Sequence, residues 1–215
     1  MKVLIAGATG LIGNHLLHFL LENSAITEVV ALLRKKTDLK NEKLNQVVFD
    51  FDKEENYKNL GDFDTVFCCL GTTIKKAGSK ENFLKVDFQY PLSLAKHIST
   101  KQFHIVSSMG ADETGFFFYA KTKGKIEEKL KGLKIETLHI YRPSQLEGNR
   151  KEFRLGEQIS EQIMRLFSVA IPEDYKLIQA KTVAKAMLNN TFKTEKGTFT
   201  HFSGEIKTIA NKTKD

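Results

Sequence analysis

Tyr119 and Lys123 stand four positions apart in the stretch FFFYAKTKGKIEEKL, residues 116–130. When this stretch is drawn as a helix, Tyr119, Lys123, Ile126 and Leu130 fall on one narrow stripe. An isolated tyrosine phenol has a pKa of about 10, which is too high for proton transfer at neutral pH. An ammonium group one helical turn away stabilises the phenolate, so the pair could act as an acid–base unit. The competing interpretation is a lysine whose stem lies on apolar surface while its head reaches solvent.

Two serines follow a predicted strand in the stretch FHIVSS, residues 103–108. A serine at a strand end can donate a hydrogen bond to the carbonyl oxygen of a substrate. Neighbouring residues of a strand point to opposite faces, so we expect only one of Ser107 and Ser108 to do this. We predict Ser108, which lies nearer the carboxyl end, and the choice between the two stays open. Ser108, Tyr119 and Lys123 form the predicted catalytic set.

A glycine pattern G-x-x-G-x-x-G lies between an apolar run and an amphipathic stretch near the start of the chain. In a dinucleotide-binding turn, Gly7 permits the tight turn, Gly10 lets the backbone approach a pyrophosphate, and Gly13 lets the helix pack on the strand. The start of the following helix offers free N–H groups and a positive dipole end to the phosphates. The alternative is a merely tight strand–helix turn. The residues predicted to contact the dinucleotide here are Gly7, Thr9, Gly10, Leu11, Ile12 and Gly13.

Basic residues follow the second predicted strand in the stretch ALLRKKTD, residues 31–38. NAD sites place an acid here for the ribose hydroxyl, whereas NADP sites place a cation for the 2′-phosphate. A guanidinium grips a phosphate with two donors in one plane. We therefore predict that Arg34 and Lys35 bind NADP(H), with NAD less favoured, and that the Lys123 ammonium reaches the nicotinamide ribose beside Tyr119. An exposed basic turn is the alternative interpretation of this stretch.

Apolar runs alternate with helical periodicity along most of the chain. The predicted strands are residues 2–7, 28–34, 45–51, 64–71, 103–108, 135–143 and 197–203. The predicted helices are residues 11–23, 80–100, 116–130, 156–168 and 181–191, with Pro91 starting or kinking the second. Such alternation indicates right-handed crossovers and a parallel sheet covered on both faces. The predicted fold class is α/β, a doubly wound parallel sheet of Rossmann type, in a single domain over residues 1–215 with a small C-terminal segment on the substrate side.

The composition excludes several classes of protein. Of 215 residues, 41% are hydrophobic and the net charge is +7, with lysines scattered among 26 acidic residues. Without a long basic run we predict no nucleic-acid partner, and the charge instead favours an anionic phosphate ligand. The apolar runs are short and the N-terminus does not resemble a signal peptide, so we predict no membrane span. Cys68 and Cys69 are adjacent and suggest neither a disulfide nor a metal site, which favours a cytoplasmic location.

These motifs together resemble the short-chain dehydrogenase/reductase superfamily. The shared features are the glycine pattern, the paired serines and the Tyr-x-x-x-Lys motif in YAKTK. A finer set of motifs is similar to an atypical, NADPH-binding group, the Tat-interacting oxidoreductase-like branch. That set is FCCLGTT (67–73), KAGS (76–79), VD (86–87), SSMGAD (107–112), RP (142–143) and MLNN (187–190). The resemblance extends over about residues 2–192.

The resemblance implies further contacts and an activity. Leu70 and Gly71, after the fourth strand, are expected to line the cofactor ribose. Leu146 and Arg154 are expected near the nicotinamide or the substrate. The expected function is NADPH-dependent reduction of a small carbonyl compound. The alternative is an NADPH-binding sensor or regulatory protein with little turnover.

The oligomeric state is a separate question. The helix near residues 80–100 could form the interface of a homodimer or bind another protein partner.

Overall fold

The structure is a computed structural model that describes residues 1–147 and 172–212. Its strands are β1 (Lys2–Ala6), β2 (Glu28–Leu33), β3 (Leu44–Val48), β4 (Asp62–Cys68), β5 (Ser99–Val106), β6 (Thr137–Arg142), β7 (Leu146–Glu147), β8 (Ile178–Gln179) and β9 (Gly197–Phe202). Its helices are α1 (Leu11–Glu22), α2 (Glu54–Lys58), α3 (Ile74–Ala77), α4 (Lys80–Leu84), α5 (Tyr90–His97), α6 (Phe118–Lys131), α7 (Ala180–Asn190) and α8 (Ser203–Asn211). A π-helical turn (Lys85–Gln89) joins α4 to α5, and a 3₁₀ turn covers Glu173–Tyr175.

Seven strands form one parallel sheet in the order β3-β2-β1-β4-β5-β6-β9, and β7 pairs with β8 in a separate two-stranded ribbon. The chain runs from β1 outward to β3 and then returns to place β4 on the other side of β1. Strand order therefore reverses between β1 and β4. In open α/β sheets, ligands bind outside the carboxyl ends of the strands at this reversal. The predicted doubly wound Rossmann fold is confirmed.

Each face of the sheet carries its own apolar core, and β1 contributes to both. Val3 and Ile5 pack in the core with α1, α7 and α8, whereas Leu4 and Ala6 pack in the core with α5 and α6. Side chains of a strand alternate between faces, so a strand that is covered on both sides must be apolar throughout. This requirement explains the unbroken apolar run at the N-terminus.

The predicted helix over residues 80–100 consists of α4, the π-helical turn and α5, with Pro91 in the first turn of α5. Sequence reasoning missed α2, α3, α8 and the β7–β8 ribbon. Helix α3 is four residues long and is defined by its ends: the Thr73 side chain accepts from the Lys76 N–H, and Gly78 adopts a left-handed conformation. Short elements of this kind leave no periodicity for a pattern search to detect. The predicted helix over residues 156–168 lies outside the described residues.

Candidate active site

The glycine turn lies at the carboxyl end of β1 and its three glycines have different roles. Gly7 has φ +87°, and a Cβ there would lie 2.6 Å from the carbonyl carbon of Cys69. A Cβ on Gly13 would lie 2.1 Å from the Gly7 oxygen, so α1 packs directly on the turn. A Cβ on Gly10 would meet the Gly7 oxygen at 3.2 Å, a much smaller overlap. The fold therefore demands glycine at positions 7 and 13 more strictly than at position 10.

The N-terminus of α1 is available to an anion. Gly10 is the N-cap, no described side chain caps the helix, and its first turn carries no acidic residue. The first backbone hydrogen bond of the helix is donated by Asn14 to the Gly10 oxygen at 2.9 Å. The N–H groups of Leu11, Ile12 and Gly13 precede it, as orphan donors do at any helix start. The Ile12 side chain is buried in the core, so only its backbone can face a ligand.

The loop after β2 carries the predicted phosphate ligands. Arg34 and Lys35 are both exposed and directly follow the last residue of β2. A cavity of about 150 Å³ opens between this loop and the glycine turn. Its polar lining residues are Thr9, Asn14, His18, Thr37 and Gln46. The structure thus brings Thr9 and the basic loop to the same end of β1 and β2.

The segment after β4 completes the crevice at the strand reversal. The Cys69 N–H donates to the Ala6 oxygen at 2.8 Å and continues the β1–β4 pairing beyond the strand. Leu70 is partly exposed and Gly71 is exposed. Leu146 lies in β7 and is partly exposed. Arg154 lies outside the described residues.

Helix α6 presents the predicted Tyr–Lys pair on its inner face. Lys123 is 4% exposed, Ile126 and Leu130 are fully buried, and Tyr119 is partly exposed. The ring of Phe83, from α4, packs on Tyr119 with centroids 5.6 Å apart. The interpretation that the Lys123 head reaches solvent is therefore wrong.

The Lys123 ammonium lies in a pocket of polar atoms. Its Nζ is 2.8 Å from Asp87 Oδ1, and it donates to the Val106 oxygen at 3.4 Å. The other Asp87 oxygen accepts from the Thr72 N–H at 2.8 Å. A Cβ on Gly71 would lie 3.6 Å from Asp87 Oδ1 and 3.9 Å from Lys123 Nζ. The ion pair therefore borders Gly71, which the family resemblance implies to line the cofactor ribose.

The two serines after β5 have different surroundings. Ser107 is buried and donates a short hydrogen bond to Glu127. Glu127 is fully buried and also accepts from Arg142 Nε, with both of its oxygens 3.1 Å away. Ser108 is partly exposed at the strand end. This arrangement favours Ser108 as the serine that faces a ligand, which remains a prediction.

Sequence reasoning placed Glu127 at the edge of the apolar stripe and missed its role. The carboxylate links α6 to the end of β6 through Arg142 and to the end of β5 through Ser107. A signal was present, because an acid four positions after a buried lysine on the same helix must also find a partner when it faces inward.

The described residues, 1–147 and 172–212, contain no group of three or more His, Cys, Asp and Glu side chains that could hold a metal ion. None of the helices in these two ranges is both long enough and apolar enough to cross a membrane.

Residues 7–147 match a protein-family model described as NAD(P)H-binding. Protein HTATIP2 of Rattus norvegicus is 37% identical over 199 residues, which cover 88% of this chain and 80% of the rat protein. The chain belongs to this NAD(P)H-binding family. The match to HTATIP2 also confirms the resemblance to the Tat-interacting branch of atypical short-chain dehydrogenases/reductases. The family match and the rat relative together place the chain among NAD(P)H-binding proteins of oxidoreductase type.

Solved structures show the same fold at low sequence identity. The MoeE5 structure in complex with UDP-glucose and NAD has a TM-score of 0.65 and 16% identity, covering 98% of this chain and 81% of MoeE5. The human epimerase family protein SDR39U1, solved with NADPH, has a TM-score of 0.62 and 18% identity, covering 94% of this chain and 74% of the human chain. These neighbours show the same architecture. Because one was solved with NAD and the other with NADPH, they do not distinguish between the two cofactors for this chain.

The predicted cytoplasmic location is contradicted by fungal members of the family. Protein fmp52 of Emericella nidulans, 31% identical over 212 residues that cover 91% of this chain and 89% of the fungal protein, is named mitochondrial. The Candida albicans relative is also named mitochondrial. The prediction rested on two adjacent cysteines, which report a reducing environment and cannot distinguish one reducing compartment from another.

Proposed function

We propose that this protein is an NADPH-dependent reductase of a small carbonyl compound, with Tyr119 as proton donor. The observation that carries the proposal is the inward face of α6, where Tyr119 stands one turn from a buried lysine. A catalytic role accounts for a buried lysine at this position, because its ammonium can stabilise the Tyr119 phenolate and bind the ribose of the cofactor. A solvent-facing role is excluded by its burial.

The residues at the carboxyl ends of β1, β2 and β4 fit a dinucleotide. The uncapped start of α1 offers the N–H groups of Leu11, Ile12 and Gly13 to a pyrophosphate, and the small residue at Gly10 leaves room for it. Gly71 borders the Lys123 ammonium and would contact the ribose. NADPH, when bound, supplies a hydride to the carbonyl carbon of the substrate.

The exposed guanidinium of Arg34 supports the choice of NADPH over NADH. It follows β2 directly, at the position where an NAD site carries an acid. Lys35 is its exposed neighbour and adds a second positive charge. A doubly charged 2′-phosphate would gain charge-assisted hydrogen bonds from both.

Each side chain of the proposed catalytic set has a separate task. Tyr119 donates its phenolic proton to the carbonyl oxygen as negative charge develops there. Lys123 stabilises the phenolate that remains and donates a hydrogen bond to the ribose. Ser108 donates a hydrogen bond to the same carbonyl oxygen and orients the substrate. Phe116 and Phe117, which are 97% and 73% exposed just before Tyr119, give the entrance an apolar rim.

A screen of small aldehydes, ketones and quinones tests this function. NADPH consumption is followed at the nicotinamide absorbance, with the protein in catalytic amounts. We expect at least one carbonyl compound to be reduced with many turnovers per protein. If NADPH binds tightly but no carbonyl compound is reduced, the protein is the sensor or regulator that the sequence left as the alternative.

A further inference from the structure

Lys123 is a buried cation, and the proposed function requires it to stay charged. A neutral amine would neither stabilise a phenolate nor hold a ribose with a charge-assisted hydrogen bond. Burial disfavours the ammonium form, because the charge loses its hydration. A lysine that is 4% exposed therefore needs a counter-charge within the protein.

Asp87 supplies that counter-charge from a neighbouring helix. Its carboxylate oxygen lies 2.8 Å from Lys123 Nζ, and the exposed fractions of the two side chains are 1% and 5%. The Thr72 N–H donates to the second carboxylate oxygen at 2.8 Å. This hydrogen bond orients the carboxylate so that its first oxygen faces the Lys123 ammonium. The carboxylate therefore has one oxygen for the backbone and one for the ammonium.

The backbone around Asp87 is built to place it there. Asp87 is the central residue of the π-helical turn, in which the Tyr90 N–H donates to the Lys85 oxygen five positions earlier. A π-helical turn inserts one extra residue into an α-helix and changes which side chain faces inward, and such turns are frequent at functional sites. Here the turn directs a carboxylate into the gap between α6 and the end of β4.

Among the described residues, neither the Cys68 thiol nor the Glu127 carboxylate competes with Asp87 for the ammonium. Burial raises the pKa of the Cys68 thiol on β4 to about 12, so it is neutral. Glu127, one turn beyond Lys123 on α6, is already bound to Arg142 from β6. Tyr119 on α6 is the group on which Lys123 is proposed to act.

We propose that Asp87 is a positioning residue whose carboxylate keeps Lys123 charged and fixes it beneath Gly71. The role of Lys123 rests on the proposed function, whereas the coupling of Asp87 to Lys123 is a property of the fold. The chain therefore carries a Tyr119–Lys123–Asp87 unit in which the acid acts through the lysine.

A thermal-stability cycle tests the coupling without any catalytic readout. The variants are Asp87→Asn, Lys123→Met and the double variant. We expect Lys123→Met to lower the melting temperature at pH 8 by roughly 6 °C or more, since it leaves a buried carboxylate unpaired. At pH 5 the loss should shrink, because an unpaired buried carboxylate is tolerated best in its protonated form. The double variant should recover most of the loss at pH 8 and show no such pH dependence.

Strictly additive effects of the two substitutions would overturn the proposal. The comparison of Lys123→Met with the double variant remains decisive if Asp87→Asn alone yields no folded protein. A protein that reduces no carbonyl compound but shows the coupling would refute the proposed function alone. An active reductase with additive stabilities would refute the role of Asp87 alone.

NADPH affinity between pH 7 and pH 9 supplies the second readout. In Asp87→Asn the amine has lost its counter-charge, so we expect it to lose its proton across this range and the Kd to rise about tenfold more than in the parent. The double variant has no amine and should show no such rise. Asp52→Asn is the matched control, since Asp52 pairs with Lys85 at 2.9 Å but is 56% exposed. Parent-like affinity of Asp87→Asn throughout the range, together with additive stabilities, would contradict the proposal. With the stability coupling present, it would refute only the contact between Lys123 and the ribose.

Discussion

Arg34 is the residue on which cofactor choice is expected to depend. It is exposed beyond the end of β2, where a carboxylate would favour NAD. A charge-assisted hydrogen bond contributes about 1.5–3 kcal/mol, which is roughly ten- to a hundredfold in Kd. The parent protein should therefore bind NADPH more tightly than NADH by about this factor.

Arg34→Ala should remove most of that preference and leave NADH affinity nearly unchanged, because only the 2′-phosphate contact is lost. Calorimetric titration with both nucleotides measures the two affinities directly. Lys129→Ala, which removes an exposed charge on the outer face of α6, is the control for net charge. Equal affinities of the parent for NADPH and NADH would contradict the assignment.

Lys123 shows at the residue scale where sequence reasoning stopped. The stripe on α6 was predictable, since its spacing puts Tyr119 and Lys123 on the same face as two apolar residues. Its counter-ion was not predictable, because Asp87 is 36 positions away in the chain. A π-helical turn, which leaves no signal in the sequence pattern, directs the Asp87 side chain towards Lys123. On an apolar stripe without a counter-ion, replacing Lys123 by Met would leave stability unchanged or raise it, because a poorly solvated ammonium is removed. The Asp87 contact reverses that expectation.

At the scale of elements, the glycine turn joins binding and packing in seven residues. Gly10→Val should abolish NADPH binding while cooperative unfolding persists, because its Cβ would lie 3.2 Å from the Gly7 oxygen and 3.9 Å from the Cys69 oxygen, which is only a mild overlap. Gly13→Val is the contrasting variant and should fail to fold stably, since its Cβ would lie 2.1 Å from the same oxygen. Nucleotide titration and thermal unfolding on both variants separate the two effects. Normal NADPH binding by Gly10→Val would make the turn purely structural.

The sheet was largely predictable because its strands are buried on both faces and read as continuous apolar runs. The first residues of the strands were harder to predict. Strand β5 begins at Ser99, four polar residues before its apolar run, because these residues extend its pairing with β4. Helix α8 was missed since its buried residues, such as Ile206 and Ile209, are few and separated by polar ones. The secondary structure of such segments depends on contacts with residues that are distant in the sequence, so it cannot be predicted from their local sequence pattern.

At the scale of the whole molecule, three histidines that are dispersed in the sequence meet within the sheet. His104 on β5 lies opposite His139 on β6 in register, and His139 Nδ1 is 2.9 Å from Nε2 of His201 on β9. Tyr141 completes the cluster, with its hydroxyl 3.1 Å from His104 Nδ1. The adjacency of β6 and β9 creates this cluster, and strand order could not be deduced from the histidine spacing.

This cluster should make the fold sensitive to acid. Burial lowers the pKa of His139 to about 3, and burial also lowers the pKa values of His104 and His201. The unfolded chain takes up protons near pH 6.5, whereas the folded cluster takes them up only at lower pH, so stability is full above pH 6.5 and is lost as the pH falls below it. For His139 alone the loss reaches about 2 kcal/mol at pH 5.

Thermal unfolding between pH 7.5 and pH 5 measures this effect. His139→Gln should lower stability at neutral pH. Its melting temperature should nevertheless fall less between pH 7.5 and pH 5 than that of the parent, because one of the buried bases has been removed. His18→Gln is the control variant, because it also removes one imidazole but from an exposed position on α1. A parent melting temperature that stays constant down to pH 5 would be inconsistent with neutral buried histidines.

The most direct test of the proposed reductase is the turnover of Tyr119→Phe with a carbonyl compound that the parent reduces. The substitution keeps the ring against Phe83 and removes only the hydroxyl, so NADPH affinity should change by at most about 1 kcal/mol. Loss of a positioned proton donor should lower turnover by about 10²-fold or more. Parent-like turnover by Tyr119→Phe would contradict the assignment of Tyr119 as the acid.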